Sequence, residues 1–165
     1  MGSVIIVMGV SGVGKTTIGK ALASRINAAF AEGDDYHPNV NVEKMRSGVP
    51  LTDDDRWPWL DRLRSEIDRW LRDGERVVLT CSALKTSYRT RLQPEQGGVC
   101  FVHLSADRKM IEQRLSERKG HYMPPSLLKS QLDTLEPPAE AITVDADGTI
   151  DDIIEELERK LTASL

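Results

Sequence analysis

The 165-residue chain has only two cysteines, Cys81 and Cys100, and no C-x-x-C pair. Each cysteine sits in an apolar, strand-like run. Both therefore read as reduced core residues of a cytosolic protein, not as reactive or metal-binding thiols. Long hydrophobic runs are missing too. No stretch approaches the roughly 20 apolar residues that cross a bilayer. The N-terminus lacks a basic region leading into an apolar run, so no signal peptide is expected. Positive charge is not in excess either. Lys and Arg number 22 against 26 Asp and Glu, a formal net charge of −4. That balance argues against a general nucleic-acid binder. An anionic small molecule stays open, because a few local cations decide its binding. No repeat, low-complexity tract or linker interrupts the chain, and one domain over residues 1–165 is expected.

What the chain does have is Gly9-Val10-Ser11-Gly12-Val13-Gly14-Lys15-Thr16, the pattern G-x-x-x-x-G-K-[ST]. It follows the apolar run Val4–Met8 and precedes a helical stretch from Thr16 to about Ile26. A phosphate-binding loop needs that setting, with a strand to deliver it and a helix start to complete it. Successive N–H groups then curl into an anion nest, reinforced by the positive end of the helix dipole. The nucleotide phosphates fall to Gly9, Ser11, Gly12, Val13, Gly14, Lys15, Thr16 and Thr17. Lys15 reaches the β- and γ-phosphates and the Thr16 hydroxyl holds Mg²⁺. ATP and Mg²⁺ are the expected cofactors.

Strand-like runs at Val4–Met8, Ala28–Ala31, Val77–Cys81, Val99–Leu104 and Ala141–Val144 alternate with helical patterns. One helix carries the stripe Trp59, Leu60, Leu63, Ile67, Trp70 and Leu71. Another starts after Ser126, read as its N-cap, and the last is capped by Thr149. The alternation predicts βαβ crossovers and an α/β, three-layer P-loop NTPase fold of nucleoside-kinase type. It has about five parallel strands and helices on both faces. Two polar stretches interrupt it. Residues 34–60 read as a substrate-binding insertion above the strand ends, and residues 114–125 as a mobile lid.

Phosphoryl transfer needs positioning and charge neutralisation more than covalent chemistry. The second strand runs into Glu32-Gly33-Asp34. If the strand persists, its period of two puts both carboxylates on one side. Asp34 is expected to take the proton of the acceptor hydroxyl, and Glu32 to act on the Mg²⁺ side, through water. Arg56 can grip a carboxylate with two hydrogen bonds, and His37 and Lys44 lie in the same insertion. Ser82, Lys85 and Arg89 follow the third strand, where its carboxyl end opens toward a ligand crevice. Lys85 and Arg89 are four apart, hence on one face if helical. Arg114 and Arg118 are also four apart and read as lid arginines that brace the nucleotide, with His121 following on the substrate side.

The blocks MGVSGVGKTT, FAEGDDYHPNVNVEKMRSGVPLTDDDRWPWL, CSALKTSYR and RLSERKGHYM resemble the gluconate kinases of the short P-loop type. They spread from residue 3 to about residue 123. The P-loop alone is generic; HPxxNxEKM, PLxDDDRxPWL and CSALKxxYR are far more specific. The resemblance implies ATP-dependent transfer to the 6-hydroxyl of D-gluconate, a nucleoside-kinase-like fold and a homodimer. It implies that Asp34, His37, Lys44 and Arg56 face gluconate, with Ser82, Lys85 and Arg89 nearby. Asp35 departs from the pattern, where an apolar or aromatic residue is expected. Two alternatives are weighed against this reading. A shikimate-type or nucleotide-monophosphate kinase shares the sheet and the lid. A GTP-dependent switch would use D-x-x-G, which Asp145-Ala146-Asp147-Gly148 matches formally, but no N-K-x-D motif follows a strand.

Overall fold

The structure, a computed structural model, describes residues 2–117 and 125–163. Five strands, β1 (Ser3–Met8), β2 (Ala29–Glu32), β3 (Arg76–Thr80), β4 (Val99–Ser105) and β5 (Ile142–Asp145), form one sheet. All pairings are parallel, in the order β2-β3-β1-β4-β5. The strands are apolar on both sides because helices cover both faces. Val4, Ile6, Met8, Val77 and Leu79 point into one core cluster. Val7, Val78, Val102, Leu104 and Val144 point into the other.

Helix α1 (Lys15–Arg25) and the last helix, α7 (Ile150–Ala163), cover the second cluster. The first cluster is covered by α3 (Asp53–Arg72), α4 (Thr86–Leu92), α5 (Arg108–Glu117) and α6 (Pro125–Thr134), and α2 (Asn39–Arg46) is tied to α3 by the bond from Asn41 to the Asp55 carbonyl. The stripe Trp59, Leu60, Leu63, Ile67, Trp70 and Leu71 is buried on α3, as its spacing predicts.

Three local expectations are corrected. The long helix starts at Asp53, so Asp53–Leu60, the end of the stretch read as an insertion, are its first two turns. Thr52 caps it, accepting from the Asp55 N–H at 3.1 Å while the Asp55 carboxylate accepts from the Thr52 N–H at 2.9 Å. That reciprocal pair starts the helix early and carries Pro58 inside it, where the missing donor leaves only an exposed carbonyl near the helix start. Ser126 falls inside α6 and not at its cap. Finally, β2 stops at Glu32, and Gly33–Tyr36 turn as a short 3-10 helix.

Candidate functional site

The P-loop leaves β1 at Gly9 and enters α1 at Lys15. Gly12 has a φ of +83°, and a Cβ there would lie 2.9 Å from the Leu115 side chain on α5. A glycine is therefore required both for the turn and for the close approach. The Lys15 ammonium donates to the Gly9 carbonyl at 2.9 Å and to the Val10 carbonyl at 3.1 Å. It thus lies folded along its own loop.

Glu32 spans two hydroxyls. Thr16 Oγ1 donates to its Oε2 at 2.7 Å and Thr80 Oγ1 to its Oε1 at 2.5 Å. Glu32 is the last residue of β2, paired with Thr80, and these contacts fix its carboxylate; Asp34 lies beyond the strand, in the 3-10 turn. Among the described residues no group of three or more His, Cys, Asp or Glu could hold a metal ion. A hard cation that keeps phosphate oxygens and waters needs few protein ligands. The adjacent oxygens of Thr16 and Glu32 are the donor type that fits Mg²⁺.

Above the strand ends opens a cavity of about 570 Å³. Lys15, Asp34, His37, Arg46, Arg56 and Ser82 are among its lining residues. Among the described residues Asp34 is the only carboxylate there, against the three cations Lys15, Arg46 and Arg56. Its carboxylate is 71% exposed, although walls crowd it. Those walls withdraw bulk water and push its pKa up; Lys15 opposes, while Glu32 and Asp35 push the same way. Water still reaches the group, so it stays available to exchange a proton with a ligand.

His37 is buried, its side chain only 2% exposed. It stacks on Trp59 with ring centroids 3.9 Å apart, and the Trp59 indole donates to the Gly33 carbonyl at 2.8 Å. Burial first, and the Arg56 charge second, push the His37 pKa down to about 4. The unfolded chain then binds a proton between about pH 6.5 and pH 4 that the native state refuses, so stability falls as pH drops through that window. The loss attributable to His37 is at most ~3 kcal/mol. In urea melts, His37→Gln should flatten the decline between pH 7 and pH 4.5. An unchanged slope would show that His37 titrates normally in the native state.

Three of the expected substrate contacts are engaged by other partners in the structure. Lys44, Lys85 and Arg89 do not line the cavity. Lys44 pairs with Asp55 at 2.9 Å, and together with the Thr52 N–H it holds that carboxyl at about 2. Lys85 pairs with Asp53 at 2.9 Å, and Asp53 also accepts from the Tyr88 hydroxyl. Lys85 is the N-cap of α4, so it does not share a helical face with Arg89. Arg89 is buried and donates to the carbonyls of Ala83 at 2.6 Å and Glu136 at 2.9 Å. It supports Ala83, whose φ of +45° turns the chain just after Ser82.

Arg56 remains in the cavity, steadied by a 2.8 Å hydrogen bond to the Tyr88 hydroxyl. Arg114 donates to the carbonyls of Val13 at 2.9 Å and Ala146 at 2.8 Å. It lines a second cavity of about 280 Å³ with Gly12, Thr17 and Gly148. Arg118, His121 and most of the predicted lid lie outside the described residues. Cys81 is buried, its thiol pushed up to about 12, so it is no nucleophile.

Sequence reasoning missed two residues. Arg46 lines the cavity from α2; its polar surroundings made it look like an ordinary surface cation. Gln131 on α6 also lines it. Its Oε1 accepts from the Ser11 N–H at 2.7 Å and its Nε2 donates to the Ser11 hydroxyl at 3.0 Å. A polar residue in the otherwise leucine-rich stripe of α6 was the available signal.

A strand-delivered P-loop, a facing carboxylate and a cationic cavity above the strand ends define a P-loop kinase of a small molecule. The comparisons agree. The family model described as an AAA domain matches residues 4–138. A gluconokinase from Gluconobacter oxydans is 46% identical, over 96% of this chain and 91% of its own length. A probable gluconokinase from Xenopus tropicalis is 44% identical, over 94% of this chain and 91% of its own. The crystal structure of a gluconokinase from Sinorhizobium meliloti superposes with a TM-score of 0.86 at 43% identity, covering 98% of this chain and 92% of that one. The chain belongs to the gluconokinase family.

Proposed function

We propose that this protein transfers the γ-phosphoryl group of ATP to the 6-hydroxyl of D-gluconate, giving 6-phospho-D-gluconate and ADP. The observation that carries the acceptor assignment is the cavity itself. Arg46 and Arg56 enter it from α2 and α3, while Asp34 and Lys15 enter from the end of β2 and the P-loop. An acceptor with a carboxylate at one end and a primary alcohol at the other matches that pairing of charges. A neutral polyol would bring no anion to the two arginines, whose present partners are the Tyr88 hydroxyl for Arg56 and the exposed Glu43 carboxylate for Arg46.

In this reading the P-loop N–H groups and Lys15 take the β- and γ-phosphates. Lys15 must leave the Gly9 and Val10 carbonyls to do so. The nucleoside extends toward the second cavity, beside Arg114. Thr16 and Glu32 would hold Mg²⁺, which would supply positive charge beside the phosphates. Asp34 receives the hydroxyl proton as the oxygen attacks phosphorus. Arg118 and His121 belong to the same scheme as lid residues that complete the site over the nucleotide and the acceptor. Among the described residues no helix is long and apolar enough to cross a membrane. A cytoplasmic homodimer acting on a dissolved metabolite, without nucleic acid, completes the proposal.

A coupled assay with ATP and Mg²⁺ tests it directly. Gluconate should be turned over, and shikimate, AMP and other sugar acids should be turned over poorly or not at all. Arg56→Ala should raise the gluconate KM about 10- to 100-fold, the range of a lost charge-assisted hydrogen bond, with ATP affinity near wild type. Loss of ATP binding instead would place Arg56 at the nucleotide.

A further inference from the structure

Asn41 is wholly buried on α2. Its amide nitrogen reaches two acceptors, the Asp55 main-chain carbonyl at 2.9 Å and His37 Nδ1 at 3.2 Å. A carbonyl oxygen only accepts, so the atom facing Asp55 must be the NH₂ group and not the amide oxygen. That settles which way the amide lies. The second NH₂ hydrogen then points at Nδ1, which must be bare, and the single proton of the neutral imidazole sits on Nε2. The Asn41 amide oxygen has no partner, although it is buried. An apolar side chain would remove that unpaired oxygen. What it could not do is keep a donor on Nδ1.

The other ring nitrogen looks into the site. His37 Nε2 lies 3.7 Å from Asp34 Oδ1, too far for a direct hydrogen bond. A hydroxyl oxygen about 2.8 Å from each would bridge them. It would accept from Nε2–H and donate to the carboxylate. With its hydrogen and one lone pair engaged, the remaining lone pair is the one left to aim at phosphorus. Trp59 and Pro38 keep the ring in place, the first by stacking and the second by confining His37 to its extended backbone conformation.

We propose that Asn41 is a positioning residue that holds His37 as the Nε2–H tautomer, so that a neutral imidazole donates to the acceptor hydroxyl whose proton Asp34 receives. The inference rests on the acceptor reading above and deepens it. The charged groups acting on His37 are Asp34, from the turn before it, and Arg56, from α3. The first draws a proton toward Nε2 and the second repels a second proton.

The test begins with the tautomer, which needs no acceptor. The chain has three histidines, His37, His103 and His121. In a long-range ¹H–¹⁵N spectrum of the full-length protein labelled at histidine, the signals lost in His37→Gln identify His37. A bare Nδ1 and a protonated Nε2 at pH 7.5 are expected; the opposite tautomer, or an average of the two, overturns the proposal. The kinetic arm is a double-mutant cycle. Asn41→Leu should lower kcat/KM for gluconate about tenfold with ATP affinity unchanged. His37→Gln keeps an N–H donor near the Nε2 position, and in that background Asn41→Leu should cost less than twofold. A full tenfold loss there would mean that Asn41 acts through packing alone, and the proposal fails. If Asn41→Leu does not fold, the wild-type spectrum still decides the tautomer. If gluconate is not phosphorylated at all, the acceptor assignment falls while the spectrum still reports on Asn41.

Discussion

Replacing Asp34 by asparagine is expected to lower kcat by about 10²- to 10⁴-fold, the range typical of removing a positioned general base, with ATP affinity little changed. The substitution keeps the shape of the side chain and its place in the 3-10 turn. It removes the ability to hold a proton at the moment the acceptor oxygen attacks. Among the described residues the geometry leaves no substitute: Asp34 is the only carboxylate lining the cavity, and Glu32 is engaged by the hydroxyls of Thr16 and Thr80. Pre-steady-state turnover with saturating ATP and gluconate is the measurement. Unaltered turnover would remove Asp34 from proton transfer and leave it a role in binding only.

Gly33→Ala is expected to have the largest effect on stability. A Cβ at this position would lie 2.0 Å from the Thr80 carbonyl oxygen and 3.4 Å from Cys81 Cα, both backbone atoms that no rotamer change can move. The end of β2 must therefore pull away from β3. That breaks the 3.2 Å bond from the Gly33 N–H to Thr80 Oγ1 and strains the 2.8 Å bond from the Trp59 indole to the Gly33 carbonyl. Overpacking of this kind costs about 3 kcal/mol, which for a chain of this size lowers Tm by roughly 6–12 °C. Activity at low temperature should fall as well, because the residues on either side are Glu32 and Asp34. A melting temperature within two degrees of wild type, read by calorimetry, would show that the two strand ends do not approach so closely.

Much of the fold was legible because it rests on local rules. The glycine spacing of the P-loop, the apolar strand runs and the helical stripe of α3 each occupy a few turns of chain. The parallel sheet follows from their alternation. Chain-end signals were less secure. Thr149 does cap α7, accepting from the Asp152 N–H at 3.1 Å, whereas Ser126 lies within α6. The reading of Glu32 and Asp34 as strand neighbours failed for a reason visible only in three dimensions. Gly33 lets the chain bend under Thr80, and the bend replaces the strand's alternation.

The cations show the same limit more sharply. Lys44, Lys85, Arg46 and Arg56 look alike in the sequence, all basic and all near polar residues. Which of them face the cavity depends on partners far along the chain. Lys85 is neutralised by Asp53, 32 residues away, and Arg56 is steadied by Tyr88, also 32 away. Gln131 reaches Ser11 across 120 residues. By itself the sequence determined the class of chemistry: a nucleotide-phosphate cradle, its delivery by a parallel sheet, and the family whose motifs surround it. These depend on backbone conformation and periodicity, which neighbouring residues dictate. Only the tertiary structure decided which charges are spent on each other and which remain to meet a substrate, because ion pairing is settled by distance in space and the sheet brings distant segments together.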